Sequence, residues 1–188
     1  MDLYSCLIKY KYLFFLFFLN LFSTYVYSNP IIQPSISIII DDLGYKLKED
    51  VRALSLPGPV AYAILPHAPH TKKMVSIASQ NGKEILLHQP MQALENNDLL
   101  GPGALTLNMT QREFTQTLEI NINAVQNIIG INNHMGSLLT RHPGHMQWLM
   151  NIIKKNEYIY VDSLTSANSV AKKIAEENQI SFLSRDIF

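Results

Sequence analysis

Apolar positions along the chain follow two alternating patterns. Short, nearly unbroken runs recur over 35–40, Val60–Leu65, Glu84–His88, Ile128–Ile131, Tyr158–Val161 and Ile180–Leu183. Their length and richness in isoleucine, valine, leucine and tyrosine predict strands, and a run without polar alternation suits a strand buried on both faces. Between them the spacing changes to that of helices. Lys46–Leu54 and Thr71–Gln80 are short helical segments, the second stopped by Asn81-Gly82. Phe114, Leu118, Ile122 and Val125 form one apolar stripe, and Thr110 with Glu113 makes a capping box at its start. Met146, Leu149, Met150 and Ile153 form another behind Pro143, and Val170 and Ile174 line a last helix over Asn168–Glu177. Leu56-Pro57-Gly58-Pro59, Pro66 and Gln89-Pro90 punctuate the strands. Strand and helix alternate throughout, so the expected class is α/β with a mostly parallel sheet. The stretch Met91–Asn108 has no periodicity and follows a strand, which fits a loop forming one wall of a cleft.

The N-terminus changes the picture. Lys9 and Lys11 precede the run Tyr12–Phe22, with Val26 and Ser28 at cleavage-like positions. Residues 1–28 therefore read as a secretory signal, with a retained membrane anchor as the alternative, since a full span needs about 20 apolar residues. Residues 29–34 are a proline-containing lead-in, and 35–188 form one domain. The only cysteine, Cys6, lies in the leader, so the domain has neither a disulfide nor a thiolate metal site. Lys+Arg and Asp+Glu are 15 each, which argues against nucleic-acid binding through a basic surface.

Chemistry concentrates where strands end. The first run stops at Asp41-Asp42 and Gly44. Two adjacent carboxylates repel, which a bound cation, or a split between ligand and general base, would justify; a turn or helix cap is the plain alternative. His88 ends the third run, and serves either as a hydrogen-bonded structural residue or as a ligand. The fourth runs into Asn132-Asn133-His134, followed by Gly136-Ser137, either an asparagine-rich turn or a ligand set among orienting amides. Asp162-Ser163 and Arg185-Asp186 end the last two. In a parallel sheet those ends lie on one side, where α/β proteins place their working groups. One aspartate and two histidines could hold Zn²⁺ or a related divalent metal with a position left for water. His67, His70, His142 and His145 lie in loops or at a helix start and are expected at the surface.

Taken together, Asp41-Asp42-Leu43-Gly44, Glu84–Met91, Gly130–Ser137, Asp162–Thr165 and Arg185–Phe188 resemble the divergent polysaccharide deacetylases, relatives of the NodB-type carbohydrate esterases. The resemblance implies an irregular (β/α) barrel, a periplasmic or secreted setting, and metal-dependent removal of acetyl groups from an amino-sugar polymer. It implies Asp41 as general base, Asp42 as metal ligand, and Arg185 as the cation keeping Asp41 ionised. His88 and His134 complete the metal site, with Asn132, Asn133, Ser137, Asp162 and Asp186 as outer or substrate-facing groups. Asp41 would deprotonate a metal-activated water that attacks the acetamide carbonyl. Two departures stand out. The family's paired histidine four positions on is Gln92 here, so His134 is taken as its replacement. Family members also continue past the Arg185–Phe188 match, so the expected barrel lacks its last elements. A glycan-binding protein without catalysis and a metallohydrolase with another substrate are the alternatives.

Overall fold

The computed structural model describes residues 35–187, so the leader reading of 1–28 lies outside the described residues. Six strands alternate with five helices: β1 Ile38–Leu43, α1 Leu47–Leu54, β2 Val60–Ile64, α2 Thr71–Gln80, β3 Ile85–Met91, α3 Gln111–Ala124, β4 Ile128–Met135, α4 Pro143–Lys155, β5 Ile159–Asp162, α5 Ala171–Glu177 and β6 Phe182–Ser184. The strands pair in parallel in chain order, β1 to β6, and curl into an open half-barrel of the NodB type. The expected α/β architecture is therefore present.

The two faces of the sheet differ, because side chains alternate along each strand. Tyr62, Ile64, Ile85, Leu87, Ile131 and Tyr160 point outward into the main core beneath the helices. There they meet Phe114 and Leu118 of α3 and Met146, Leu149, Met150 and Ile153 of α4. The inner, concave face carries a small apolar cluster, Ala63, Leu86 and Val161, flanked by Ile39 and Ile159. The capping box forms as expected: Glu113 N–H donates to Thr110 Oγ1, and Thr110 N–H donates to Glu113 Oε2 at 2.8 Å.

Three expectations need correction. Among the described residues β1 is an edge strand, and it is not buried on both faces; Ile38 is 53% exposed. β3 runs through Pro90 to Met91, and β4 through the asparagines to Met135. Pro90 is tolerated because β2 pairs with β3 only as far as Leu87, so the missing N–H costs no bond on that side. The two extended strands then pair as far as Met91 with Met135. Thus His88 and His134 project from paired strand backbone rather than from loose turns. His145 is buried, not superficial: its ring packs on Trp148 at 4.3 Å and on the edge of Phe114 at 5.7 Å. Burial, then the neighbouring His142, lowers its pKa.

Gly130 shows how tightly the central strands meet. A Cβ there would lie 2.4 Å from Ile159 Cγ1 and 2.6 Å from the Ile159 carbonyl oxygen. The Ile159 side chain can rotate, but the carbonyl belongs to the paired strand. Gly130→Ala should cost about 2–3 kcal/mol through overpacking, a fall of about 5–10 °C in thermal midpoint. A thermal melt unchanged within 1 °C, to order of magnitude about 0.3 kcal/mol, would contradict this close fit.

Candidate metal centre

At the mouth of the concave face, three side chains from three strands meet. Asp42 Oδ1 lies 3.1 Å from His88 Nε2 and 2.9 Å from His134 Nδ1, and the two nitrogens are 3.2 Å apart. The rings meet edge to face. These are β1, β3 and β4, brought together by the parallel order of the sheet.

A local irregularity aims the acids. In a regular strand Asp41 and Asp42 would point to opposite faces. The β1–β2 register shifts between Ile40 and Leu43, and Asp42 adopts φ 63°, in the left-handed region. This bulge turns both carboxylates to the site. Aspartate tolerates that conformation better than most residues. Behind it, buried Asp50 accepts from the Gly44 N–H at 2.8 Å and the Lys46 N–H at 3.1 Å, pinning the turn into α1. β4 ends the same way, with Met135 at φ 57° and Gly136 at φ 91° just past His134.

The hydrogen bonds behind the imidazoles fix which nitrogens face the centre. Asp41, as a carboxylate, accepts only, so the amide nitrogen of Asn132 donates to its Oδ1 at 3.1 Å. Asn132 Oδ1 therefore faces His88 Nδ1 at 3.0 Å, and that nitrogen must carry the proton. His134 is held similarly: its Nε2 donates toward the Leu99 carbonyl at 3.5 Å, the outer limit of such a bond. His88 Nε2 and His134 Nδ1 thus turn lone pairs toward Asp42. Three acceptors facing one another need a positive charge among them, either a proton or a metal ion.

The charge states agree. Contact with the imidazoles of His134 and then His88, and the positive charge shared among the three groups, holds the Asp42 carboxyl far below the usual carboxylate range, against some desolvation. Burial works against a charged His134, yet the Asp42 carboxylate beside it outweighs this and raises its pKa. The spacing also fits a cation. Ligands about 2.0–2.1 Å from a tetrahedral zinc lie about 3.3 Å from one another, close to the triangle here. Asp42, His88 and His134 form the one such group of possible metal ligands among the described residues. Asp42 is the open member, its side chain 64% exposed against 4% for His88, so the cluster faces solvent on that side.

The family sequence pattern of the divergent polysaccharide deacetylases matches residues 38–188, from β1 to the last residue. The chain belongs to the divergent polysaccharide deacetylase family. An uncharacterized protein of Haemophilus influenzae is 37% identical over 168 residues, covering 89% of this chain and 60% of that protein. The uncharacterized protein YibQ of Escherichia coli is 31% identical over 161 residues, covering 86% and 50%. The chain thus spans between half and three fifths of the length of these relatives. The crystal structure of the uncharacterized protein ATU2773 from Agrobacterium tumefaciens shares the fold, with a TM-score of 0.75 at 20% identity over 81% of this chain and 63% of that one.

Around this cluster the remaining residues divide by face. Asn132 shares the inner face with His88 and His134. Asn133 points outward and is taken up by structure: its Oδ1 accepts from the Ser163 N–H and the Tyr160 hydroxyl, and its amide donates to the Met135 carbonyl. Asp162 likewise turns to the loop after β5, accepting from the Leu164 N–H and the Ser169 hydroxyl. The Ser137 hydroxyl accepts from the Leu94 N–H and ties the two site loops together. Asp186 is exposed. Arg185 lies just past β6, with its backbone N–H on the Asp162 carbonyl and its side chain exposed. Among the described residues β6 is the last strand of the sheet and β1 the first.

Residue-by-residue reading missed what holds the long loop. Leu105 returns to pair beside Met91. Buried Asn121 of α3 and Gln89 of β3 both donate to the Gly103 carbonyl, Asn121 also donates to Gln89, and His67 Nε2 completes the set on Asn121 Oδ1. The available signal was Asn121 itself, a polar residue between Leu118 and Val125 on a buried stripe.

Proposed function

We propose that this protein is a metal-dependent N-deacetylase of amino-sugar polymers, working outside the cytoplasm on glycans of the cell envelope. The observation that carries the reading is the convergence of three lone pairs on one point beside a second carboxylate. Asp42, His88 and His134 are the groups that would hold a divalent ion, zinc suiting a set of two imidazoles and one carboxylate. Such an ion, when bound, would polarise an acyl carbonyl and lower the pKa of water toward neutrality.

The chain's own groups supply the rest. Asn132 engages Oδ1 of Asp41, which leaves Oδ2 to take the proton of the attacking water. The water oxygen bonds to the acetamide carbon, the carbon–nitrogen bond breaks, and the proton held by Asp41 passes to the leaving amine. Arg185, by its match to the family, is assigned to orient Asp41. Export is supported by the basic and apolar leader over 1–28; an uncleaved leader would instead anchor the domain at the inner membrane.

The test is acetate release from N-acetylated amino-sugar oligomers by the purified chain. Zinc-loaded protein should release acetate, chelation should remove the activity, and added zinc should restore it. Glycan binding by the loaded protein without acetate would overturn the catalytic reading in favour of a binding protein. Hydrolysis of phosphoesters in its place would overturn the substrate.

A further inference from the structure

Asn132 joins the two halves of the site. It is almost fully buried, with 1% of its surface exposed, and sits on β4 two residues before His134, on the same face. Its amide nitrogen is committed to Asp41 Oδ1 at 3.1 Å and its carbonyl oxygen to His88 Nδ1 at 3.0 Å. Neither commitment can be exchanged alone. Rotating the amide by half a turn would set its oxygen against a carboxylate and its N–H₂ against the imidazole N–H. We infer that Asn132 is a positioning residue that sets the tautomer of His88 and the aim of Asp41 together, so that one amide prepares the metal ligand and the general base before any metal arrives.

The side-chain type is the argument. Only a primary amide offers a donor to the acid and an acceptor to the imidazole from one planar group of this size. A hydroxyl is too short to span both, and a carboxylate has no donor when ionised. The backbone adds precision: β3 and β4 pair with His88 directly opposite Asn132, so both side chains leave adjacent positions of one ladder. Outer partners of ligating histidines commonly contribute about 10–100-fold in metal affinity. Here the same outer partner also holds the base. The part concerning Asp41 rests on the deacetylase reading; the part concerning His88 does not.

The experiment reads His88 first in the metal-free protein, by long-range ¹H–¹⁵N correlation of its imidazole. Wild type should show His88 with the proton on Nδ1. Asn132→Leu keeps the volume but neither bond, so the proton should redistribute to Nε2 and zinc affinity should fall about 10–100-fold. Asn132→Asp keeps an acceptor for the Nδ1 proton, so tautomer and zinc affinity should stay within a few-fold of wild type. The introduced carboxyl beside Asp41 would repel it or share its proton, and acetate release should fall even with zinc bound. An Nε2-protonated His88 in wild type would overturn the inference. So would Asn132→Leu with unchanged tautomer and affinity, or Asn132→Asp with wild-type turnover. Absence of acetate release from every form, wild type included, would instead overturn the deacetylase reading and leave the tautomer and affinity results to decide the His88 part.

Discussion

Asp42→Asn should leave the protein without stoichiometric zinc and reduce acetate release to background. Asparagine keeps the shape and tolerates the left-handed backbone at this position, so the fold should survive. What goes is the negative charge that makes the cluster attractive to a cation. The amide oxygen is a neutral and weaker ligand, and its N–H₂ would face the His88 and His134 lone pairs as a donor. Loss of a direct ligand should exceed the roughly 10–100-fold penalty of losing an outer partner. Metal content after dialysis, by atomic emission or a chromophoric chelator, checks this directly. Retention of one zinc per chain by the variant would remove Asp42 from the site.

The same substitution has a signed effect in the metal-free protein. The imidazoles depress the Asp42 pKa, so its contribution is present above about pH 4 and is lost as the solution becomes more acidic. His134 is raised despite its burial, so its contribution is present below about pH 6.5 and is lost as pH rises through the raised value. The pair therefore stabilises most between these limits. Thermal midpoints of wild type and Asp42→Asn should differ more at about pH 5.5 than at about pH 8.5. The reverse ordering would contradict this charge assignment.

Asp41→Asn should behave differently. It should bind zinc within a few-fold of wild type but release acetate about 10²–10⁴-fold more slowly, the usual range for loss of a general base. Asp41 is outside the ligand triangle and touches it through Asn132. An amide at this position can still meet Asn132 through its oxygen, so His88 keeps its orientation. It cannot accept a proton from water. Turnover and zinc affinity measured on one preparation separate the two aspartates. Equal loss of both properties would mean that Asp41 is a ligand, and loss of neither would remove it from catalysis.

The alternation of apolar runs and helical stripes was enough for the α/β class, because a strand buried in a parallel sheet and a helix with one buried face leave different periods in a chain. The capping box at Thr110 was legible for the same reason, being a local matter of four consecutive residues. Strand ends were legible only roughly. Pro90 and Asn132 look like breakers in isolation, yet both lie in strands, since the β3–β4 pairing outweighs their local preference. His145 follows Pro143 at a helix start and reads as superficial, but Phe114 and Trp148 close over it.

By itself the sequence determined the kinds of groups available and their address at the ends of strands, because residue type and sheet direction are both local properties. It marked Asp41, Asp42, His88, His134 and Arg185 as the working set. Only the tertiary structure decided which of the neighbouring polar residues join them. A strand's faces alternate, so Asn132 turns inward to the site while Asn133 and Asp162 turn outward to brace loops. The bulge at Asp42 breaks that alternation and brings two consecutive carboxylates to the same side. A one-residue change of register decides both outcomes, and register is set by the packing of whole strands rather than by any short stretch of chain.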